Sequence, residues 1–242
     1  MRVLALDTTT RVGSVAIVED DRVIEARCGD PERTYAERLP ADILALAADT
    51  GIALRQIDVF AVASGPGSFT GLRIGIATIQ GLAFVMRRGV VAVSALEALG
   101  HLGSADRTAG TVVAAWMDAR RHEVFAASYC VGSGTVFGPE RLIEVEGPSV
   151  GDPRATLDRW DSHLRARATV FIGDGAELYS NVIRDCIGPP AVIVGMPLLA
   201  AAIGRVAVRR ARAGQVIHPA ALHPLYVRRP DAEIAQDRKR GL

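Results

Sequence analysis

With 242 residues, 49% of them hydrophobic and 23% charged, the chain can bury one large core or two small ones and has the charge content of a soluble globular protein. Lysine plus arginine number 28 and aspartate plus glutamate 27, and the resulting net charge of +1 excludes a global pull towards nucleic acid or an anionic membrane. The three cysteines, Cys28, Cys130 and Cys186, are scattered and form no Cys-x-x-Cys pair, which reads as free thiols in a reducing compartment. The N-terminus enters an apolar run with no signal-peptide pattern, and the longest apolar runs are broken by Gly, Arg or Pro. A cytoplasmic chain with no membrane span is therefore expected.

In chain order, Val3 to Leu6 predicts a buried strand ending at Asp7, and Thr8 to Gly13 a turn. Ser14 to Val18 resumes as a strand, Glu19-Asp20-Asp21 turns it, and Arg22 to Arg27 alternates apolar and polar as a half-buried strand does. Tyr35 to Asp49 is helical, with Leu39, Ile43, Leu46 and Ala47 on one face and Gly51 at its end. Val59 to Ala63 is the next buried strand. It runs into the glycine loop Gly65-Pro66-Gly67-Ser68-Phe69-Thr70-Gly71 and a long helix from Phe69 to Arg88. Val90 to Val93 predicts a strand, and Ser94 with Glu97 a capping box on a short helix through Leu99.

A polar stretch, His101 to Gly110, marks the expected boundary between subdomains 1–104 and 105–227, with 228–242 a charged tail. The second half begins again with strands, Thr111 to Trp116 and Glu123 to Tyr129. A Gly-Ser-Gly turn at 132–134 leads to a further strand over Thr135 to Phe137. Val170 to Ile172 ends in Gly173-Asp174-Gly175 and a helix through Cys186, which Pro189-Pro190 breaks. Val192 to Val194 is a short strand, and Leu198 to Ala213 an alanine-rich helix stopped by Gly214. Both halves thus read β-β-β-α-β-α, two related mixed α/β subdomains.

The glycine loop lies between a strand and a helix, where free N–H groups favour anions. It lacks the Gly-Lys-Ser/Thr ending of a phosphate loop and the spacing of Gly-x-Gly-x-x-Gly. The helix behind it says more. Gly71, Gly75 and Thr78 recur at three- and four-residue steps, Ala77 and Gly81 continue the small-residue surface, and a helical glycine costs about 1 kcal/mol against alanine. Leu72, Ile74, Ile76, Ile79, Leu82, Phe84 and Val85 make the helix apolar on more sides than one core needs. The small residues predict a close approach, either by packing inside the same chain or by a helix of another molecule. The apolar excess favours the second, and Gly75→Leu is then expected to abolish that complex while keeping the fold.

Asp7 and Asp118 end matching strands of the two halves and are placed to flank a Mg-nucleotide. The alternative is structural: Asp7 caps the turn through Thr9 or Thr10, and Asp118 pairs with Arg120 or Arg121. The five histidines show no His-x-x-x-His spacing, and Ser68 lacks a Gly-x-Ser-x-Gly context, so no metal site and no catalytic residue is assigned. Arg209, Arg210, Arg212, Arg228, Arg229, Arg238, Lys239 and Arg240 make the C-terminal part locally basic. A solvated helix face and tail accounts for it, with a contact to nucleic acid as the alternative.

Several segments together resemble the TsaB (YeaZ) family of bacterial proteins. They are Leu-Asp-Thr-Thr-Thr at the start, GPGSFTGLRIGIATIQGLA from Gly65 to Ala83, VSALEAL from Val93, MDARRHEVFAASY from Met117, FIGDGA from Phe171 and PLYVRRPDA from Pro224. The resemblance implies a two-lobed actin-like/Hsp70-like (ASKHA) fold of two ribonuclease-H-like subdomains. It also implies a non-catalytic, dimerising partner of a TsaD-type subunit, with a TsaE-type ATPase as third member and a homodimer when the partner is absent. That complex moves a threonylcarbamoyl group to N6 of adenosine 37 in tRNAs reading codons that begin with A. No cofactor of this chain is implied, and any tRNA contact of the chain is expected to be indirect or through the complex. The implied docking residues are Leu39, Ile43 and Leu46 on the first helix and Gly71, Leu72, Ile74, Gly75, Thr78, Ile79 and Leu82 on the second. Many relatives carry a histidine near the start of the first helix, where the nearest position in this chain is Tyr35. An ATPase or kinase of the same fold, built around Asp7, is the competing reading.

Overall fold

The structure, a computed structural model, describes residues 1–164, 167–188 and 191–228. The expected break at Pro189-Pro190 and the tail beyond Arg228 lie outside the described residues.

Strands β1 (Arg2–Asp7), β2 (Ser14–Glu19) and β3 (Arg22–Cys28) form the expected antiparallel meander. After helix α1 (Tyr35–Thr50), strand β4 (Val59–Gly65) joins β1 in parallel, and after helix α2 (Phe69–Met86), strand β5 (Gly89–Ser94) joins β4. The sheet order is β3-β2-β1-β4-β5. Helix α3 (Ala95–Gly103) follows, capped by the Ser94 hydroxyl, which accepts from the Glu97 N–H.

The second half repeats this plan. Strands β6 (Val112–Asp118), β7 (Val124–Val131) and β8 (Leu142–Gly151) are antiparallel, and β9 (Thr169–Ile172) and β10 (Val192–Val194) add in parallel. Their order, β10-β9-β6-β7-β8, is the first sheet's order over again. Helices α4 (Pro153–Leu164), α5 (Asp174–Leu178), α6 (Ser180–Ile187) and α7 (Leu199–Arg212) complete the set. Two ribonuclease-H-like sheets in one chain make the two-lobed actin-like class. Sequence patterning missed β8 and α4 and proposed a strand over Thr135 to Phe137. Those residues form a turn instead, with Phe137 left-handed at φ 67°.

Alternation along each strand assigns its two faces to different layers. Leu4, Leu6, Ile17, Phe60 and Val62 of the first sheet pack against Leu39, Ile43 and Leu46 of α1 and Ile76, Ile79 and Ala83 of α2. The opposite face, with Val3, Ala5, Ala16, Val18 and Ala61, meets α3 and α7 in a middle layer that also covers Val113, Ala115 and Ala127 of the second sheet. On that sheet's far side Trp116, Phe171 and Ala126 pack on Leu157, Trp160 and Leu164 of α4 and Ile183 of α6. Alanines and valines dominate the middle because α7 lies close. A Cβ on its Gly204 would stand 2.6 Å from Val18 Cγ2. Arg210 of α7 binds both Glu97 carboxylate oxygens, at 2.7 and 2.8 Å, and donates to the Ala92 carbonyl.

Candidate functional site

Two features of the fold bear on function: a cleft between the lobes and the outer face of α1 and α2. The cleft forms where the carboxyl ends of β1, β4 and β6 converge, the usual crevice of such sheets. Its cavity is about 890 Å³, lined by the Thr9–Arg11 turn, the glycine loop, Asp118 to Arg121, Asp174 and Leu225 to Arg228.

Asp7 lies beneath this cleft, buried. Its Oδ1 accepts both the Thr9 N–H, at 2.9 Å, and the Thr9 hydroxyl, at 2.6 Å. Burial pushes the carboxyl above its ordinary range, the Thr9 bonds oppose that, and Asp174 across the cleft adds to it. Asp7 is thus committed to holding the turn. Asp118 accepts the Arg120 N–H at 2.8 Å and pairs with its guanidinium at 3.0 Å. These bonds hold a costly turn. Arg120, Arg121 and His122 are all left-handed, at φ 61°, 55° and 63°, at about 1–2 kcal/mol per residue. Asp174 accepts the N–H groups of Asp118 and Gly175, both at 3.0 Å, and burial raises its carboxyl too.

The glycine motif serves the chain's own packing. A Cβ on Gly71 would stand 2.1 Å from the Thr8 carbonyl oxygen, and one on Gly75 2.2 Å from Thr8 Oγ1. One on Gly67 would meet the Thr9 carbonyl at 2.6 Å, and one on Gly65 the Leu225 carbonyl at 2.6 Å. Two of the loop's amides are used within the chain as well. The Ser68 N–H donates to Thr9 O at 2.7 Å, and the Gly71 N–H to Ser68 Oγ at 3.2 Å. The second lobe repeats the device: a Cβ on Gly173 would stand 2.1 Å from Trp116 O.

The Thr8–Val12 turn is braced from α1 also. The Tyr35 hydroxyl donates to the Thr10 carbonyl, and buried Arg38 donates to the carbonyls of Arg11 and Val12 and, at 2.8 Å, to Asp42. From the far end of the chain, a strap over Leu222–Arg228 crosses the cleft. Leu225 N–H donates to Ser64 O at 2.7 Å, and Tyr226 stacks on Phe69 with centroids 5.2 Å apart. Arg228 donates to Ala119 O at 2.7 Å and pairs with Glu123. Neither the Arg38 brace nor the strap was legible in the sequence. Their anchors are backbone carbonyls, which carry no residue signal.

The docking residues expected from sequence divide into three groups. Leu39, Ile43, Leu46 and Ile79 are buried against the first sheet, Leu72 is buried beside Gly65, and all five belong to no surface. Gly71 and Gly75 are buried against Thr8, so their smallness answers a contact inside the chain, and Gly75→Leu would strike the fold itself. Ile74, Thr78 and Leu82 are half-buried at the margin of α2. The exposed outer face carries other side chains: Phe84 is 72%, Val85 73% and, on α1, Leu44 61% exposed. Ala77 and Gly81 are exposed beside them, and a Cβ on Gly81 would meet nothing within 4 Å. α2 is also the one described helix long and apolar enough to cross a bilayer, yet its inner face covers the first sheet.

Three basic residues of α7 are ion-paired to other parts of the chain: Arg209 with Asp21 at 2.9 Å, Arg210 with Glu97, and Arg212 with Asp20. Arg229, Arg238, Lys239 and Arg240 lie outside the described residues.

A family model described as "TsaD: tRNA N6-adenosine threonylcarbamoyltransferase" matches residues 30–236. An uncharacterized protein of Mycobacterium tuberculosis is 32% identical over 242 residues, covering 96% of this chain and 93% of that one. The tRNA threonylcarbamoyladenosine biosynthesis protein TsaB of Bacillus subtilis is 29% identical over 195 residues, 80% of each chain. Its Escherichia coli namesake is 37% identical over 150 residues, 62% of this chain and 64% of that one. Among solved structures, YeaZ from Pseudomonas aeruginosa superposes with a TM-score of 0.75 at 29% identity, over 93% of this chain and 99% of that one. With a family model spanning most of its length and TsaB and YeaZ among its relatives, the chain belongs to the tRNA N6-adenosine threonylcarbamoyltransferase family, on its TsaB (YeaZ) branch.

Proposed function

We propose that the chain is a non-catalytic subunit required for threonylcarbamoyl transfer to N6 of adenosine 37 in tRNAs reading codons that begin with A. It acts by binding a TsaD-type catalytic subunit together with a TsaE-type ATPase. The observation that carries this reading is the outer face of α2, where Phe84 and Val85 stand in solvent on the same helical face as Ala77 and Gly81. Apolar side chains grouped around an uncovered glycine suit a helix-to-helix contact. The same face supplies a homodimer when the partner is absent. The names of the Bacillus and Escherichia relatives support the pathway.

The commitments of Asp7 and Asp118 favour this reading over the competing one, an ATPase or kinase acting alone. Asp7 uses one carboxylate oxygen for two bonds to Thr9, and Asp118 accepts the Arg120 N–H that holds its left-handed turn. Mg-ATP titrated calorimetrically into the isolated chain should give no heat of binding. Saturable binding abolished by Asp7→Ala would restore the ATPase reading. The positive test is reconstitution: purified chain is inert alone and restores threonylcarbamoyladenosine formation when added to TsaD- and TsaE-type subunits. Equal product without it would sink the proposal.

A further inference from the structure

The cleft is more basic than the chain that encloses it. Six arginines and three carboxylates line it among the described residues, against a net charge of +1 for the whole chain. Two of the carboxylates, Asp118 and Asp174, sit deeper, whereas Arg11, Arg33, Arg73 and Arg120 stand in solvent on the rim together with Glu32.

Much of the bonding on this rim leaves the charge in place. Arg11 donates to the Pro31 carbonyl at 2.9 Å, Arg33 to the Glu37 carbonyl at 3.1 Å and Arg73 to the Tyr226 hydroxyl at 3.2 Å. A guanidinium on a neutral acceptor keeps its full attraction for an anion. The carboxylate partners, Glu32 for Arg11 at 3.6 Å and Asp118 for Arg120 at 3.0 Å, make ion pairs with one or both members well exposed, and these contribute little and exchange readily.

Amid these charges is a stacking platform. Phe69 and Tyr226 lie 28° from parallel at 5.2 Å, with the Arg73 guanidinium 4.0 Å over the Phe69 ring. Phe69 is 36% and Tyr226 39% exposed, too much surface for rings that serve only the core. Exposed aromatic rings flanked by arginines take unpaired bases by stacking while the arginines take phosphates.

We infer that this rim is a contact surface for single-stranded RNA, with phosphates on Arg11, Arg33 and Arg120 and a base on the Phe69–Tyr226 pair. The inference rests on the reading of the chain as a subunit of a tRNA-modifying assembly and adds the strand it touches. A mononucleotide seated deep in the cleft fits less well. Its phosphates would meet Asp118 and Asp174, and the Ser68 and Gly71 amides there are already taken by Thr9 and Ser68.

The test is fluorescence anisotropy of the full chain with a labelled, unmodified tRNA transcript over about 50–200 mM salt. Arg11→Ala combined with Arg33→Ala should weaken binding about tenfold and lower the slope of log K against log salt by about 1.4. Phe69→Ala should weaken it about fivefold and leave the slope unchanged. Should the arginine pair fail to fold, Arg33→Gln alone reads the same point with about threefold loss. Absence of tRNA binding, variants that bind like the wild type, or displacement of tRNA by equimolar ATP or by an RNA duplex would each overturn the inference. The partner assay separates the two readings. Rim variants should keep the TsaD-type subunit, and loss of partner binding in α2 variants with tRNA binding retained bears only on docking.

Discussion

Thr8 connects the end of the first strand to helix α2. Its carbonyl faces Gly71 and its hydroxyl faces Gly75, so the glycine spacing is a footprint of this one residue. Gly75→Ala should cost about 2 kcal/mol in a urea titration, because the new methyl has no room beside Thr8. Thr8→Ala in the same chain should recover most of that loss, a coupling that a double-mutant cycle reads directly. The sequence made the glycines visible but not the residue they face. Small residues at helical spacing mark a close approach, and only the fold says whose.

His101 carries a second residue-scale prediction. Its Nδ1 accepts the Phe137 N–H at 3.2 Å, and burial, helped by Arg210 and Arg141, lowers its pKa from 6.5 to about 4. The unfolded chain therefore binds a proton in this window that the folded chain refuses. Stability contributed by the neutral ring is full above pH 6.5 and is lost as pH falls towards 4. Between about pH 7 and about pH 5, His101→Asn should lose about 2 kcal/mol less stability than the wild type, measured by urea midpoints at both values.

At the scale of elements, α2 has two apolar faces with different duties. Leu72, Ile76, Ile79 and Ala83 complete the core, while Phe84 and Val85 remain in water. Phe84→Asp with Val85→Asp should leave the unfolding midpoint within about 0.5 kcal/mol of wild type, as surface changes do. It should also abolish the homodimer in sedimentation velocity. The excess of apolar residues on α2 was legible. The division between faces was not, because Leu39, Ile43 and Leu46 of α1 fill the core that the sequence reading assigned to a partner. The two elements that patterning missed have physical excuses of different quality. β8 is an edge strand with bulges and internal Gly147 and Pro148, so its alternation is broken. α4 is mostly polar, yet Leu157, Trp160 and Leu164 stand at helical spacing and are its large buried apolar residues, a signal that was available.

Across the whole molecule the lobes share a middle layer. α3 follows the first sheet in sequence but contacts the second, and α7 comes from the second half and covers Val3, Ala5, Ala16 and Val18 of the first. The opening hairpin and the later strand–helix alternation of each half were legible because they are local, although β8 and α4 were missed. The exchange of helices was not, because nothing local records which sheet a helix covers. Residues 1–104 expressed alone should therefore lack dispersed amide spectra and bind an apolar dye, since one face of their sheet is bare. Folded, monomeric behaviour of that fragment would count against the shared layer.

The central claim is that the outer face of α2 is where a TsaD-type subunit docks. Light scattering gives the molar mass of an equimolar mixture of the two chains. The account predicts one species containing both chains for the wild type, and two separate species when Phe84→Asp and Val85→Asp are introduced into a chain that still melts like its parent. A complex of undiminished mass and affinity with that variant would contradict it.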